Sequence, residues 1–269
     1  MLLSLILLLL LGYAAVAAAL FFAQTSIIFP SRLVPPAGPL PKGAERLELT
    51  VAGGIRLEGV LVPAARPQPG ERIAILGFAG NASNAAAIAE FLSAIYPEHP
   101  IAAFHYRGYK PSGGSPSAAA LLDDAPLVHD LARERLKPDR VVAVGISIGS
   151  GVAAGLAARR PLDGLVLVTP FDSISAVARG QFPWLPVSLL IRHDLPSAEV
   201  LAASDVPVAI VAAERDGIIP PPRTRALAGA VRNLVHDVTL SGAQHNDIAY
   251  HPEFRAQMRK GLERVLQRR

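Results

Sequence analysis

Apolar side chains fill the first 22 residues without one charge, and Leu and Ala dominate the run. A helix of about 20 such residues is long enough to cross a bilayer core. Prolines at 30, 35, 36, 39 and 41 then exclude helix and central strand, so residues 24–43 read as a linker. Two stretches of alternating character, 45–52 and 55–62, meet at Gly53-Gly54 and predict an antiparallel hairpin. From Ile73 the pattern changes to short, fully apolar runs at 73–76, 101–104, 141–144, 165–168 and 208–212, separated by helical stretches. Such runs predict parallel strands covered by helices on both faces, hence an α/β fold with a mostly parallel sheet. Residues 235–240 form a last short strand, and Phe254, Met258, Leu262 and Val265 recur at helical spacing behind it. The organisation expected is therefore a membrane segment over 1–23, a linker over 24–43 and one globular domain over 44–269. Within that domain, the stretch 171–205 is longer than a crossover needs. It reads as a cap inserted above the strand ends, where such sheets place ligands.

The N-terminal run has two readings. The small residues 14–19 could present a cleavage site of a signal peptide, which would place the domain in a secreted or periplasmic setting. A single-pass anchor is favoured because no Lys or Arg precedes the apolar stretch, and its character continues through Leu20, Phe21 and Phe22. Arg32 and Lys42 would hold the adjoining side in the cytoplasm under the positive-inside bias. The absence of cysteine excludes disulfides, thiolate zinc sites and a cysteine nucleophile. Twenty-six basic residues against 22 acidic ones give a net charge of +4, too even for a nucleic-acid footprint. The excess collects at the C-terminus on Arg255, Arg259, Lys260, Arg264, Arg268 and Arg269, which reads as the solvated face of the last helix.

Chemistry is concentrated in three places. Gly145-Ile146-Ser147-Ile148-Gly149 follows a buried strand and opens an Ala-rich helix. There a G-x-S-x-G turn lifts a serine above the sheet, and small residues keep Cβ atoms out of crowded backbone. A rival use of the same segment is a dinucleotide site, with Gly149, Gly151 and Gly155 as the glycines and Asp172, about 20 residues on, as the ribose acid. It is disfavoured because several strands precede it and because Asp216 and His245 would then have no task. Asp216 lies just past the strand at 208–212, and His245 just past the last strand. That order, serine then acid then histidine, suits an acid that fixes the imidazole tautomer while its other nitrogen serves the serine. Asp172 and Glu214 are alternative acids, and Asp247 reads as an N-cap of the closing helix. His99, His129, His236 and His251 read as surface or core residues, and His193 as a cap residue. Donors for an oxyanion are expected from the amides of Ile148 and Phe78.

Several strings taken together resemble the membrane-anchored α/β-hydrolase-domain group, serine aminopeptidase-like hydrolases. Residues 24–30, Gln-Thr-Ser-Ile-Ile-Phe-Pro, are similar to that group's post-anchor segment. Residues 76–81 match its H-G-N-A-G-N loop in part, and Tyr106-Arg107-Gly108-Tyr109 with Ser112, Gly114, Ser115 and Pro116 matches its Y-R-G-Y segment. The elbow at 145–149, the cap segment Phe182-Pro183-Trp184-Leu185-Pro186, the turn 216–220 and the loop 242–248 complete the likeness. Leu76, Phe78, Lys110, Ala243 and Gln244 depart from the group's pattern.

The resemblance implies an α/β-hydrolase fold with a short cap and hydrolysis of acyl esters, thioesters or lysophospholipids, some members being nominal peptidases. The expected site is Ser147 as nucleophile, His245 as base and Asp216 as its orienting acid, with Trp184 and Leu185 of the cap touching substrate. The chemistry calls for no metal or organic cofactor, and the expected partners are a small acylated molecule and, through the N-terminal helix, a membrane. A scaffold that has lost catalysis is the alternative in a different class.

Overall fold

The computed structural model describes residues 1–36 and 38–267, so Arg268 and Arg269 of the expected basic face lie outside the described residues. Along the chain come α1 (Leu2–Ile28), β1 (Glu45–Val51), β2 (Ile55–Val62), β3 (Ile73–Phe78), α2 (Ala85–Ile95), β4 (Ile101–Phe104), α3 (Ala118–Leu136), β5 (Arg140–Ile146) and α4 (Ile148–Ala157). These are followed by β6 (Gly164–Val168), α5 (Ile174–Gln181), α6 (Val187–Leu190), α7 (Ser197–Ala202), β7 (Val208–Ala213), α8 (Pro221–Ala230), β8 (Leu234–Leu240) and α9 (Phe254–Leu266).

One eight-stranded sheet has the order β1-β2-β4-β3-β5-β6-β7-β8. β1, β2 and β4 pair antiparallel, as the hairpin pattern requires, and every pair from β4 to β8 is parallel. Each apolar run of the sequence is buried because helices cover both faces. On one face, α2 and α9 cover Ile75, Val142, Val166 and Ala209, with Phe254, Met258, Leu262 and Val265 turned inward. On the other, α3, α4, α7 and α8 cover Leu76, Ala143, Leu165 and Ile210.

Three features differ from the pattern-based reading. The first helix does not stop near residue 23 but runs to Ile28, because the first helix-breaking residue is Pro30. Phe29 then enters the domain core. Of the stretch 171–205, α5 and α6 roof the sheet ends, whereas α7 packs beside α4 and α8 as part of the domain body. Asp247 does not cap α9, which begins at Phe254 behind Glu253. Its carboxylate instead accepts the Gln244 amide at 2.6 Å inside the loop that carries His245.

Candidate active site

The elbow is built from crowding. Ser147 takes the left-handed backbone setting φ 52°, ψ −119°, held by its N–H to the Val168 carbonyl at 2.9 Å. Its own carbonyl accepts the Ser150 amide at 2.9 Å and the Ser150 hydroxyl at 2.6 Å. A Cβ on Gly149 would lie 2.2 Å from the Phe78 carbonyl oxygen, and one on Gly145 would lie 2.4 Å from the Gly149 oxygen, so both positions need glycine. Although Ser147 stands at the N-cap of α4, its side chain makes no capping bond. Its Oγ is left free for other work.

That hydroxyl meets His245, whose Nε2 is 3.0 Å from Ser147 Oγ. On the other side of the ring, His245 Nδ1 is 2.7 Å from Asp216 Oδ2. Asp216 is buried, and its second oxygen accepts the amides of Ile218 and Ile219 at 2.9 and 2.7 Å. With both oxygens acting as acceptors, the proton between Asp216 and the ring belongs on Nδ1 and Nε2 can accept from serine. The three residues, 69 and 29 positions apart in the chain, thus form one continuous hydrogen-bonded line.

The alternative acids have other partners. Asp172 pairs with Arg223 at 3.0 Å and accepts the Ser173 amide at 2.9 Å. Glu214 accepts the Gly242 amide at 2.7 Å and the Ser241 hydroxyl at 3.2 Å, bonds that hold its carboxyl below its ordinary range. Together with Arg215 N–H to the Ala243 carbonyl, they stitch the loop of Asp216 to the loop of His245. His129 is buried, His236 is half-buried beside Gly261 of α9, and His193 bonds to Thr25 of α1 through Nε2 at 2.7 Å.

Above the serine lies a cavity of about 710 Å³, within the range of roughly 300–1,000 Å³ of small-molecule sites. Ser147, Ile148 and His245 lie on its wall with a lining that is otherwise mostly aliphatic and aromatic, and no described lining residue is charged. Ile148 is the first residue of α4, where amides have no acceptor inside the helix. Phe78 is not on the cavity wall: it ends β3 with a buried side chain, and the turn after it lines the cavity through Gly80, Asn81, Ala82 and Ser83. Leu76, likewise, is a core residue. The Tyr106 hydroxyl donates to the Ala79 carbonyl at 2.8 Å and that of Tyr109 to Asn81 Oδ1 at 2.9 Å, which fixes this turn.

Of the two cap residues expected at the substrate, Leu185 lines the cavity and Trp184 does not. Trp184 is turned outward against α1, its ring 6.0 Å from that of Tyr13 and its carbonyl accepting the Tyr13 hydroxyl at 3.2 Å. A tilt of the cap toward an apolar helix supplies this indole with a partner outside the site. α1 itself, expected only as an anchor, contributes Leu20, Phe21, Gln24, Ile27 and Ile28 to the cavity wall. The available signal was Gln24-Thr25, a polar pair closing an apolar run and standing before the first proline.

A profile describing the alpha/beta hydrolase fold matches residues 73–189. A Mycobacterium tuberculosis protein, Rv2307c, is 32% identical over 222 residues, which cover 79% of this chain and 78% of that protein. The lysophosphatidylserine lipase ABHD12 of Danio rerio is 30% identical over 138 residues, 45% of this chain and 36% of that one. Among solved structures, an esterase of Pyrococcus furiosus superposes with a TM-score of 0.66 at 17% identity, covering 87% of this chain and 97% of its own. That likeness is one of fold.

Proposed function

Since the chain belongs to the α/β-hydrolase fold family, we propose that it hydrolyses an acyl ester or thioester through an acyl-enzyme on Ser147. The observation that carries this reading is the line Asp216–His245–Ser147, with contacts of 2.7 and 3.0 Å, opening into an uncharged cavity. Ser147 Oγ attacks the carbonyl carbon while His245 Nε2 takes the hydroxyl proton. Asp216 keeps the ring in the tautomer that can accept and stabilises the imidazolium that forms. The amide of Ile148 serves the oxygen that becomes negative, and a second backbone donor comes from the turn after β3, which lines the cavity from Gly80 to Ser83. His245 then hands its proton to the departing alcohol or thiol, and a water activated by the same imidazole releases the acid.

The lining favours a long acyl chain over a polar acyl group, since apolar surface is worth roughly 25 cal/mol per Å² buried. It disfavours removal of N-terminal residues from peptides, because none of the described lining residues carries a carboxylate for an ammonium group. The lysophosphatidylserine lipase ABHD12, similar over 45% of this chain, is by its name an ester-cleaving protein and agrees with this choice. The reading is tested by turnover of a graded series of acyl esters and aminoacyl amides by the full chain in detergent or nanodiscs. Long-chain esters should be the better substrates, and Ser147→Ala should lower the rate on the order of 10⁴-fold or more. Retention of native turnover by that variant removes the proposal.

A further inference from the structure

The end of α1 is joined to the cap as tightly as elements of a core are joined. Gln24, 8% exposed, accepts the Arg192 amide at 2.7 Å through Oε1 and donates to the Leu190 carbonyl at 3.1 Å through Nε2. One turn away, the Arg192 guanidinium lies 4.7 Å from the centre of the Phe21 ring and donates to the Phe21 carbonyl at 3.2 Å. Thr25 and His193 close the joint. From there the cap follows α1 toward its N-terminus as far as Tyr13, about 16 Å along the axis at 1.5 Å per residue.

This path runs beside the segment that is long and apolar enough to cross a membrane. With Phe22 at the edge of the hydrocarbon, Tyr13 lies roughly 13 Å within it along a helix normal to the bilayer. Trp184, the cap residue beside Tyr13, is 50% exposed, and Leu189, next to the Leu190 that bonds to Gln24 at the other end of the joint, is 82% exposed. They add to the apolar surface of α1, whose Phe22 is 75% exposed. Exposed apolar side chains continuous with a membrane span are stable where lipid covers them. The same helix that enters the bilayer walls the cavity with Leu20, Phe21 and Gln24, so the cap and α1 together form its membrane-facing side.

We propose that the cap between Phe182 and Leu190 is seated in the lipid leaflet along α1, and that acyl chains enter the cavity from that leaflet. The substrate is then a membrane-resident amphiphile whose tail lies against Leu20 and Phe21 while its ester reaches Ser147. This assignment rests on the acyl-hydrolase reading above and on α1 as a span.

Two measurements test it, and the first does not depend on catalysis. Trp184 is the chain's single tryptophan. In nanodiscs of brominated phosphatidylcholine its emission should fall at least twofold relative to unbrominated discs, whereas emission indifferent to bromine overturns the seating of the cap. In the second, Leu189→Asp is compared with the native chain on a water-soluble butyrate ester and on a long-chain monoacyl ester in the bilayer. Leu189 is outside the core and the cavity wall, so the butyrate rate should stay within about twofold while the bilayer rate drops at least tenfold. Equal effects on both esters, in a variant that melts like the native chain, overturn the route. A change from dimer to monomer on this substitution identifies the patch as a protein interface and also overturns it. If the native chain turns over neither ester, the hydrolase reading fails and the route with it, while bromine quenching still locates the cap.

Discussion

Ser147 occupies a backbone region that L-residues avoid at a cost of about 1–3 kcal/mol, and the bonds to Val168 and Ser150 hold it there. The same crowding makes Gly149 indispensable. Gly149→Ala should lower the melting temperature by several degrees, in keeping with the roughly 1–3 kcal/mol of overpacking, and remove turnover. Thermal melts beside ester assays check both. Contact singles out the proposed acid, because Asp216 touches the imidazole while Glu214 only ties the neighbouring loop. Asp216→Asn should cost about 10³- to 10⁴-fold in kcat, since the wrong tautomer is then favoured. Glu214→Gln should cost less than about tenfold. A reversal of these two effects in steady-state kinetics would move the acid to the other carboxylate.

Among the elements, the strands were legible because a parallel strand buried on both faces must be apolar throughout, as in residues 165–168 and 208–212. Helix ends were less so. Nothing local marks residue 23 as an end, and α1 continues until proline intervenes. Leu185 and Trp184 are neighbours in one motif, yet one lines the cavity and the other faces α1, since a short irregular cap has no period from which to read direction. Gln24 shows how such a joint is held. Gln24→Leu leaves the Arg192 amide and the Leu190 carbonyl without their partner, each an interaction of about 1 kcal/mol. Its melting temperature in micelles should fall by roughly 4–8 °C. An unchanged melt would show that α1 is a loose tether.

For the whole molecule, the candidate site was readable because serine, acid and histidine each stand on the turn or loop that follows a strand, so one sheet gathers them at one end. The contribution of α1 to the cavity was not, because it depends on a contact between residues some 170 positions apart. Acid sensitivity also belongs to this scale. Burial, reinforced by the positive charge of Arg46, brings the His105 imidazole down to about 4. The unfolded chain, with an ordinary value near 6.5, binds the extra proton first as pH falls. Stability from this group is therefore complete above about 6.5 and lost progressively toward about 4. His99 and His236, also lowered by burial, act in the same direction. The melting temperature should thus be lower at pH 5 than at pH 7, and His105→Gln should narrow the difference. A flat profile in the native chain would contradict the burial argument. The central claim, that Ser147 Oγ is the atom acylated, is tested most directly by reacting the full chain with a fluorophosphonate and mapping the adduct by peptide mass spectrometry. The account predicts a single adduct on the peptide containing Ser147, absent from Ser147→Ala. An adduct on another serine, or none in a folded and ester-hydrolysing chain, would contradict it.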